Sequence, residues 1–281
     1  EIKKNIEAEV EKHVPMSIEE IYYDWQIIND FRAHQQILIG AAQKKIVNQY
    51  TDLLNGAGLS VVALEIEPIA ICRSLLAEES NKFKGVFDKN YGVIDIGAKR
   101  SSMTVYSKNT ILFTLSIPIS GEEITKEIAE KLEIEMDQAE KAKIICGLDE
   151  NKAQGIIKNI LSDTIERLIE KISEAVDFQK NHFSDRGPLD KIILCGGGAN
   201  IKNLDKIISD AVSMETTAGD ALANLGGAKE KFSKILEETH SLDISFSKKE
   251  KGKIISITQD TSLTFATAIG LALRTIFIDE L

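Results

Sequence analysis

An aspartate stands between two isoleucines in the stretch Tyr91–Tyr106, YGVIDIGAKRSSMTVY, and a tight turn follows it at once. An ionised carboxylate among apolar neighbours is costly unless something pairs with it. In Asp95-Ile96-Gly97-Ala98-Lys99-Arg100-Ser101-Ser102, Gly97 permits a positive φ and lets backbone N–H groups approach a ligand closely. Successive amides in such a turn form an anion-binding concavity. Asp95 would then hold a hydrated Mg2+ beside phosphate oxygens, as this hard cation favours. The same residues also suit an ordinary polar β-turn, with Asp95 satisfied by nearby amides or by Lys99 or Arg100. Taken alone, the segment leaves both readings open.

A second constellation is Leu194-Cys195-Gly196-Gly197-Gly198-Ala199-Asn200. Three glycines between an apolar strand and a helix clear the strand's C-terminal edge of side chains, and in open α/β sheets ligands sit at that edge. The N-terminus of the following helix favours negative charge nearby. The G-x-G-x-x-G dinucleotide spacing is absent. In the last helix, Ala266 and Gly270 lie one turn apart and allow close approach to another backbone. The histidines His13, His34, His182 and His240 show no ligand or catalytic spacing and read as structural or solvated. Cys72, Cys146 and Cys195 are far apart and form no metal spacing; they read as buried structural thiols in a reducing compartment.

These residues need elements to position them. Residues 36–67 read as strand, helix, strand, with Ile46, Tyr50 and Leu53 on one helix face and a stop at Gly56 and Gly58. That order predicts a right-handed crossover between parallel strands. Pro68 opens the next helix through Ile71 and Leu75. The polar stretch 78–90 is a boundary. Strands over 92–97, 101–107 and 110–117 form a meander; the last alternates Ile111, Phe113, Leu115 and Ile117 against Thr114 and Ser116. A helix follows Gly121 through Ile124, Ile128 and Leu132. A long helix over 151–182 carries Ile157, Leu161, Ile165, Leu168, Ile172 and Val176 on its core face. Residues 190–195 are a buried parallel strand. The helix after GGGAN carries Leu204, Ile208 and Ala211. Residues 226–260 read as a charged surface insertion or hairpin, and a final helix spans about 262–277.

The 281 residues suffice for one large or two ordinary cores, and 43% hydrophobic with 28% charged residues is a soluble globular composition. A net charge of −10 argues against nucleic acid as the main partner. No apolar run reaches the roughly 18 residues that span a bilayer. The chain starts at Glu1 rather than Met, without a visible signal peptide, and reads as a fragment whose N-terminus lies upstream.

In order, DIGAKRSS resembles the second phosphate loop of the actin/Hsp70/FtsA superfamily, GGGAN its adenosine motif and ATAIGLALR its second connecting helix. Gly121-Glu122-Glu123-Ile124-Thr125 is similar to its Gly-acidic-x-aliphatic-Thr segment. Each motif is weak alone; the ordered set is specific. Within the superfamily the chain most resembles the PilM family of type IV pilus platform proteins. EVEKHVPMSIEEIYYDWQII (9–28) looks like its helix, proline break and acidic strand. Residues 37–75 are similar to its strand–helix–strand and return helix. The resemblance covers most of the chain apart from 226–260. The superfamily's first phosphate loop, an N-terminal strand–turn–strand with its own Asp-x-Gly, has no counterpart here.

The resemblance implies an α/β, actin-like two-lobed fold with ribonuclease H-like lobes and a small FtsA-like accessory subdomain. Residues 1–60 would form that subdomain, 61–90 the remainder of the first lobe, 91–261 the second lobe, and 262–281 a helix returning to the first. ATP with Mg2+ would bind between the lobes at Asp95, Gly97, Ala98, Lys99, Ser101, Gly121, Glu122, Gly196, Gly197, Gly198 and Asn200, with Asp95 at the metal. The implied partner is the N-terminal cytoplasmic peptide of PilN, in a groove on residues between about Tyr22 and Ile69, alongside other pilus platform proteins. Such a chain would be a cytoplasmic scaffold, peripheral at the inner face of the cytoplasmic membrane through its partners. One alternative is an ATPase or phosphotransferase, with Asp95 or Glu122 orienting a water or hydroxyl. Another is an FtsA-type division polymer, which usually ends in a basic amphipathic membrane helix; this chain ends Phe277-Ile278-Asp279-Glu280-Leu281.

Overall fold

A computed structural model describes residues 2–30, 35–76, 89–224 and 262–274. The chain divides into two compact units, Glu1–Ile66 and Glu67–Leu281. The sequence features at 226–260, His34, His240 and Phe277–Leu281, and most of the boundary at 78–90, lie outside the described residues.

In the first unit, helix α1 (Ile2–His13) ends ahead of Pro15. A 3₁₀ turn at Ile18–Glu20, capped by the Ser17 hydroxyl, leads into strand β1 (Ile21–Asp30). β1 pairs antiparallel with β2 (Gln35–Gln43), and helix α2 (Lys44–Gly56) follows. Ile6 and Val10, one turn apart on α1, form the core with Ile21. Val14, Met16 and the alternating strand residues Tyr23, Trp25, Ile37 and Ile39 pack around them.

The expected parallel strand–helix–strand over 36–67 does not form. β2 takes the preceding strand as its partner, because a short connection closes an antiparallel hairpin at far lower entropic cost than a crossover. Residues 59–66 carry no strand. No residue of α2 is buried: Ile46, Tyr50 and Leu53, the face picked out by periodicity, are 47%, 63% and 68% exposed.

The second unit opens with α3 (Glu67–Leu75) and is built on a mixed sheet of order β5-β4-β3-β6-β7. Its strands are β3 (Asn90–Ile96), β4 (Ser101–Ser107), β5 (Thr110–Ile117), β6 (Lys191–Cys195) and β7 (Thr216–Ala218). β3 is central, antiparallel to β4 and parallel to β6. Covered on both faces, it buries the consecutive Val93 and Ile94. The alternation expected along β5 is broken by a bulge at Leu112, which lets both Ile111 and Leu112 into the core.

Helix α4 (Gly121–Leu132) starts at Ser120, whose Oγ accepts from Glu123 N at 3.3 Å. Ser120→Ala is expected to lower stability by about 1 kcal/mol, seen as a reduced urea midpoint. Helix α5 (Met136–Cys146) follows; its short, weakly patterned sequence raised no expectation. The single helix expected over 151–182 is divided into α6 (Ile156–Ile160) and α7 (Ser162–His182). Left-handed Gln154 and Gly155 delay its start, and Leu161, at φ −88 and ψ 3, interrupts it. The core face runs as expected to Ile172; Ala175 and Gln179 then replace Val176. Helix α8 (Leu204–Val212) packs beside β7. A 3₁₀ turn at Leu263–Phe265 leads into α9 (Ala266–Leu273), which crosses α3 so closely that a methyl group on Gly270 would overlap Ala70 O.

Candidate functional site

Because β3 and β6 run parallel with Asp95 opposite Cys195, both glycine-containing turns leave the sheet at the same end, side by side. The β3–β4 turn closes through Gly97 N to Arg100 O at 3.0 Å. Gly196 holds φ +75, and a side chain on it would collide with Asp95 Oδ1 and Ile96 O; one on Gly198 would collide with the Ile96 side chain. The second turn is thus glycine-rich because it lies directly on the first. The left-handed residue is Gly196 and not Gly97, whose conformation is ordinary. Gly97 is required for space instead, since a Cβ there would meet Arg100 O at 2.7 Å. A further correction concerns the helix after GGGAN. Gly197–Asn200 forms a 3₁₀ turn, and α8 begins only after left-handed Asn203, so its N-terminus does not face the glycines directly.

Asp95 is half-buried. Burial, and then the charge of Glu67 at the start of α3, push its carboxyl up to about 6, against a weaker opposing contact from the Cys195 thiol 3.7 Å away. Neither Lys99 nor Arg100 acts on it; both are exposed. The self-satisfied turn with a Lys99 or Arg100 partner is therefore not realised. Glu67 Oε1 accepts from Thr267 Oγ1 of α9 at 3.0 Å. A hydrated Mg2+ fits the Asp95 carboxylate, a hard oxygen donor with no cationic partner among the described residues. Among the described residues no group of three or more His, Cys, Asp or Glu gathers as a metal site, so water and ligand oxygens would complete the shell.

Gly121 N donates to Gly97 O and Glu122 N to Ala98 O, each at 2.9 Å. The first amides of α4 therefore brace the turn rather than stand free for an anion. Lys143 is buried beneath them, its Nζ 3.1 Å from Gly121 O, 2.8 Å from Thr125 Oγ1 and 2.7 Å from Glu140 Oε2. Burial pushes the Glu140 carboxyl up, but the bonds from Lys143 and Thr125 outweigh it and hold it below its ordinary value. Ser101 is buried with no hydrogen-bond partner for its Oγ. Gly196 N donates to Leu263 O, tying the second turn to the segment before α9.

A family model described as type IV pilus assembly protein PilM matches residues 1–276. The chain belongs to the PilM family. A solved PilM-PilN type IV pilus biogenesis complex is similar at 21% identity and TM-score 0.69, covering 98% of this chain and 72% of that one. The ethanolamine utilization protein EutJ of Carboxydothermus hydrogenoformans is similar at 19% identity and TM-score 0.51, covering 83% and 62%. The fold is thus α/β and actin-like. Cell division protein FtsA of Bacillus subtilis is 23% identical over 188 residues, covering 60% of this chain and 41% of its own. FtsA of Neisseria meningitidis serogroup B is 24% identical over 221 residues, covering 72% and 51%. The chain spans about half the length of these FtsA relatives.

Of the residues singled out beforehand, this PilM-family chain brings Asp95, Gly97, Ala98, Gly121, Glu122, Gly196 and Gly198 into one cluster. Gly197 lies beside Thr264, while Lys99 and Asn200 are exposed. Sequence reasoning missed Glu67, Thr267 and Lys143. Glu67 precedes a helix-opening proline, but nothing local says that Asp95 and Thr267 will meet it. The i,i+3 spacing of Glu140 and Lys143 could have suggested a helix pair, though not its burial under the turn. Cys72 and Cys195 are buried as expected, Cys146 only partly. Burial pushes the Cys72 thiol up to about 12 and Cys195 well above its ordinary value, so both stay protonated. No helix among the described residues is long and apolar enough to cross a membrane.

Proposed function

We propose that the chain is a nucleotide-responsive scaffold of type IV pilus assembly. ATP with Mg2+ sits over the turns at 95–101 and 196–200, the cation on the Asp95 side. The N-terminal cytoplasmic tail of PilN binds residues between about Tyr22 and Ile69. The protein works in the cytoplasm, held at the inner face of the membrane through its partners in the assembly platform. One observation supports the nucleotide reading above others: Gly196 packs directly on Asp95, so two glycine turns and a carboxylate with no cationic partner among the described residues share one sheet edge. The PilN reading draws on the likeness to the solved PilM-PilN complex. ATP changes peptide affinity only if it binds the peptide-competent state more tightly. Isothermal titration of the full-length protein with a PilN tail peptide, with and without Mg-ATP, is expected to show peptide binding that strengthens with nucleotide. Affinity indifferent to ATP removes the coupling; no peptide binding removes the partner.

The position of Glu122 beside the Asp95 turn, its N–H donating to Ala98 O, supports a second reading, slow ATP hydrolysis with Asp95 or Glu122 orienting water. Steady phosphate release from full-length protein, abolished by Asp95→Ala, would promote it over a purely structural role.

A further inference from the structure

At the end of the sheet away from the glycine turns, three buried side chains carry polar atoms that no protein group satisfies. Asn90 opens β3, Ser107 closes β4 and Gln179 lies on the last turn of α7; they are 3%, 1% and 1% exposed. Asn90 Oδ1, Ser107 Oγ and Gln179 Oε1 have no hydrogen-bond partner among the described residues. Other contacts gather these side chains. Asn90 and Ser107 stand opposite one another in the β3–β4 register, so their side chains share a sheet face. Asn90 Nδ2 donates to Arg186 O and Pro188 O, each at 2.8 Å, and Gln179 Nε2 donates to Gly187 O at 2.5 Å. Both amides thus grip the same stretch of chain between α7 and β6. Those bonds also fix which end of each amide is the oxygen, because a flip would set it against a carbonyl oxygen.

We propose that one buried water binds here as a structural ligand, bridging Asn90, Ser107 and Gln179 and so tying β3, β4 and α7 to the 186–188 loop. Each buried polar atom left without a partner would weaken folding roughly tenfold to a hundredfold, whereas immobilising a water opposes folding far less. Water matches the set. It donates to the two amide oxygens and accepts from the Ser107 hydroxyl, the usual three bonds of a buried water. A sodium or potassium ion would exchange its hydration shell for three neutral oxygens, which the burial of a charge does not favour. The clasp has a consequence for the central strand. Asn90 also exchanges backbone and side-chain bonds with Asp190, at 2.8 and 2.7 Å, just ahead of β6. A slip of one residue in β3 would break all of these contacts and turn Asp95 to the other face of the sheet. The inference depends on neither the nucleotide nor the peptide reading.

The test uses full-length protein and turns on a sign. Ser107→Ala removes the hydroxyl alone. With a bridging water the variant loses a hydrogen bond, and its urea midpoint is expected to fall by about 0.5 M. A hydroxyl without any partner predicts the reverse, because alanine would then relieve a buried unsatisfied group. An unchanged or raised midpoint therefore overturns the proposal. In a second measurement, the side-chain NH2 protons of Asn90 and Gln179 in the parent are expected to show nuclear Overhauser effects to a long-lived water. Their absence overturns it however the variant folds. Parent midpoints in sodium, potassium and choline chloride at equal ionic strength are expected to agree. A midpoint raised by either metal ion over choline would identify a cation at the site and overturn the water.

Discussion

Alanine at Gly270 is expected to destabilise the second unit by about 3 kcal/mol or more. An added methyl group would overlap the carbonyl oxygen and carbon of Ala70, and these are backbone atoms of α3 that cannot rotate away. Relief requires α9 and α3 to move apart. That separation would strain the Arg73 bond to Gly270 O and open space beside the buried Ala266 and Leu273. Interiors packed near crystal density do not absorb such a shift cheaply. Urea unfolding followed by far-ultraviolet circular dichroism is expected to show the midpoint falling by about 1 M. An unchanged midpoint would mean that the helices do not cross at this glycine.

Asp95→Asn is expected to act in the opposite direction and to make the protein more stable at pH 7. The Asp95 carboxyl titrates at about 6 in the folded chain, against an ordinary 3.8, chiefly through burial and secondarily through Glu67. Between those values the folded state binds the proton more tightly than the unfolded state. Its stability contribution is therefore fully present below about pH 4 and is lost as pH rises through 6. At neutral pH the charged group costs the folded state about 3 kcal/mol at most, the order set by a shift of this size. Asparagine removes the cost. Urea midpoints of parent and Asp95→Asn in chelator-treated buffer should separate at pH 7.5 and converge near pH 4. A gap independent of pH, or a less stable variant at pH 7.5, would refute the account. A carboxylate kept at a stability cost is what a ligand site requires, and the same substitution should abolish Mn2+ binding.

Most of the second unit could be read from residue order because its signals are local. The apolar runs at 91–96 and 191–195, the polar turn at 97–100 and the heptad-like spacing of 157–172 each identify an element without reference to any other. Mistakes arose where a partner decided the outcome. The run at 59–66 looks like a strand, yet a strand exists only by pairing, and β2 is paired instead with β1. Ile46, Tyr50 and Leu53 share a helix face by geometry, but periodicity is silent on whether anything covers it.

The site divides the same way. Residue types and spacing alone picked out Asp95, Gly97 and the three glycines at 196–198, because a lone carboxylate in an apolar strand and repeated glycines are locally costly and need a reason; Gly121 entered only through the family resemblance. Tertiary structure alone decided that Gly196 lies on Asp95, that Lys143 is buried under Gly121, and that Glu67 and Thr267 meet there from positions 28 and 172 residues away from Asp95 along the chain. Those encounters depend on strand register and on one helix crossing. Both are set by packing between distant segments, for which a linear string of residues carries no local signature.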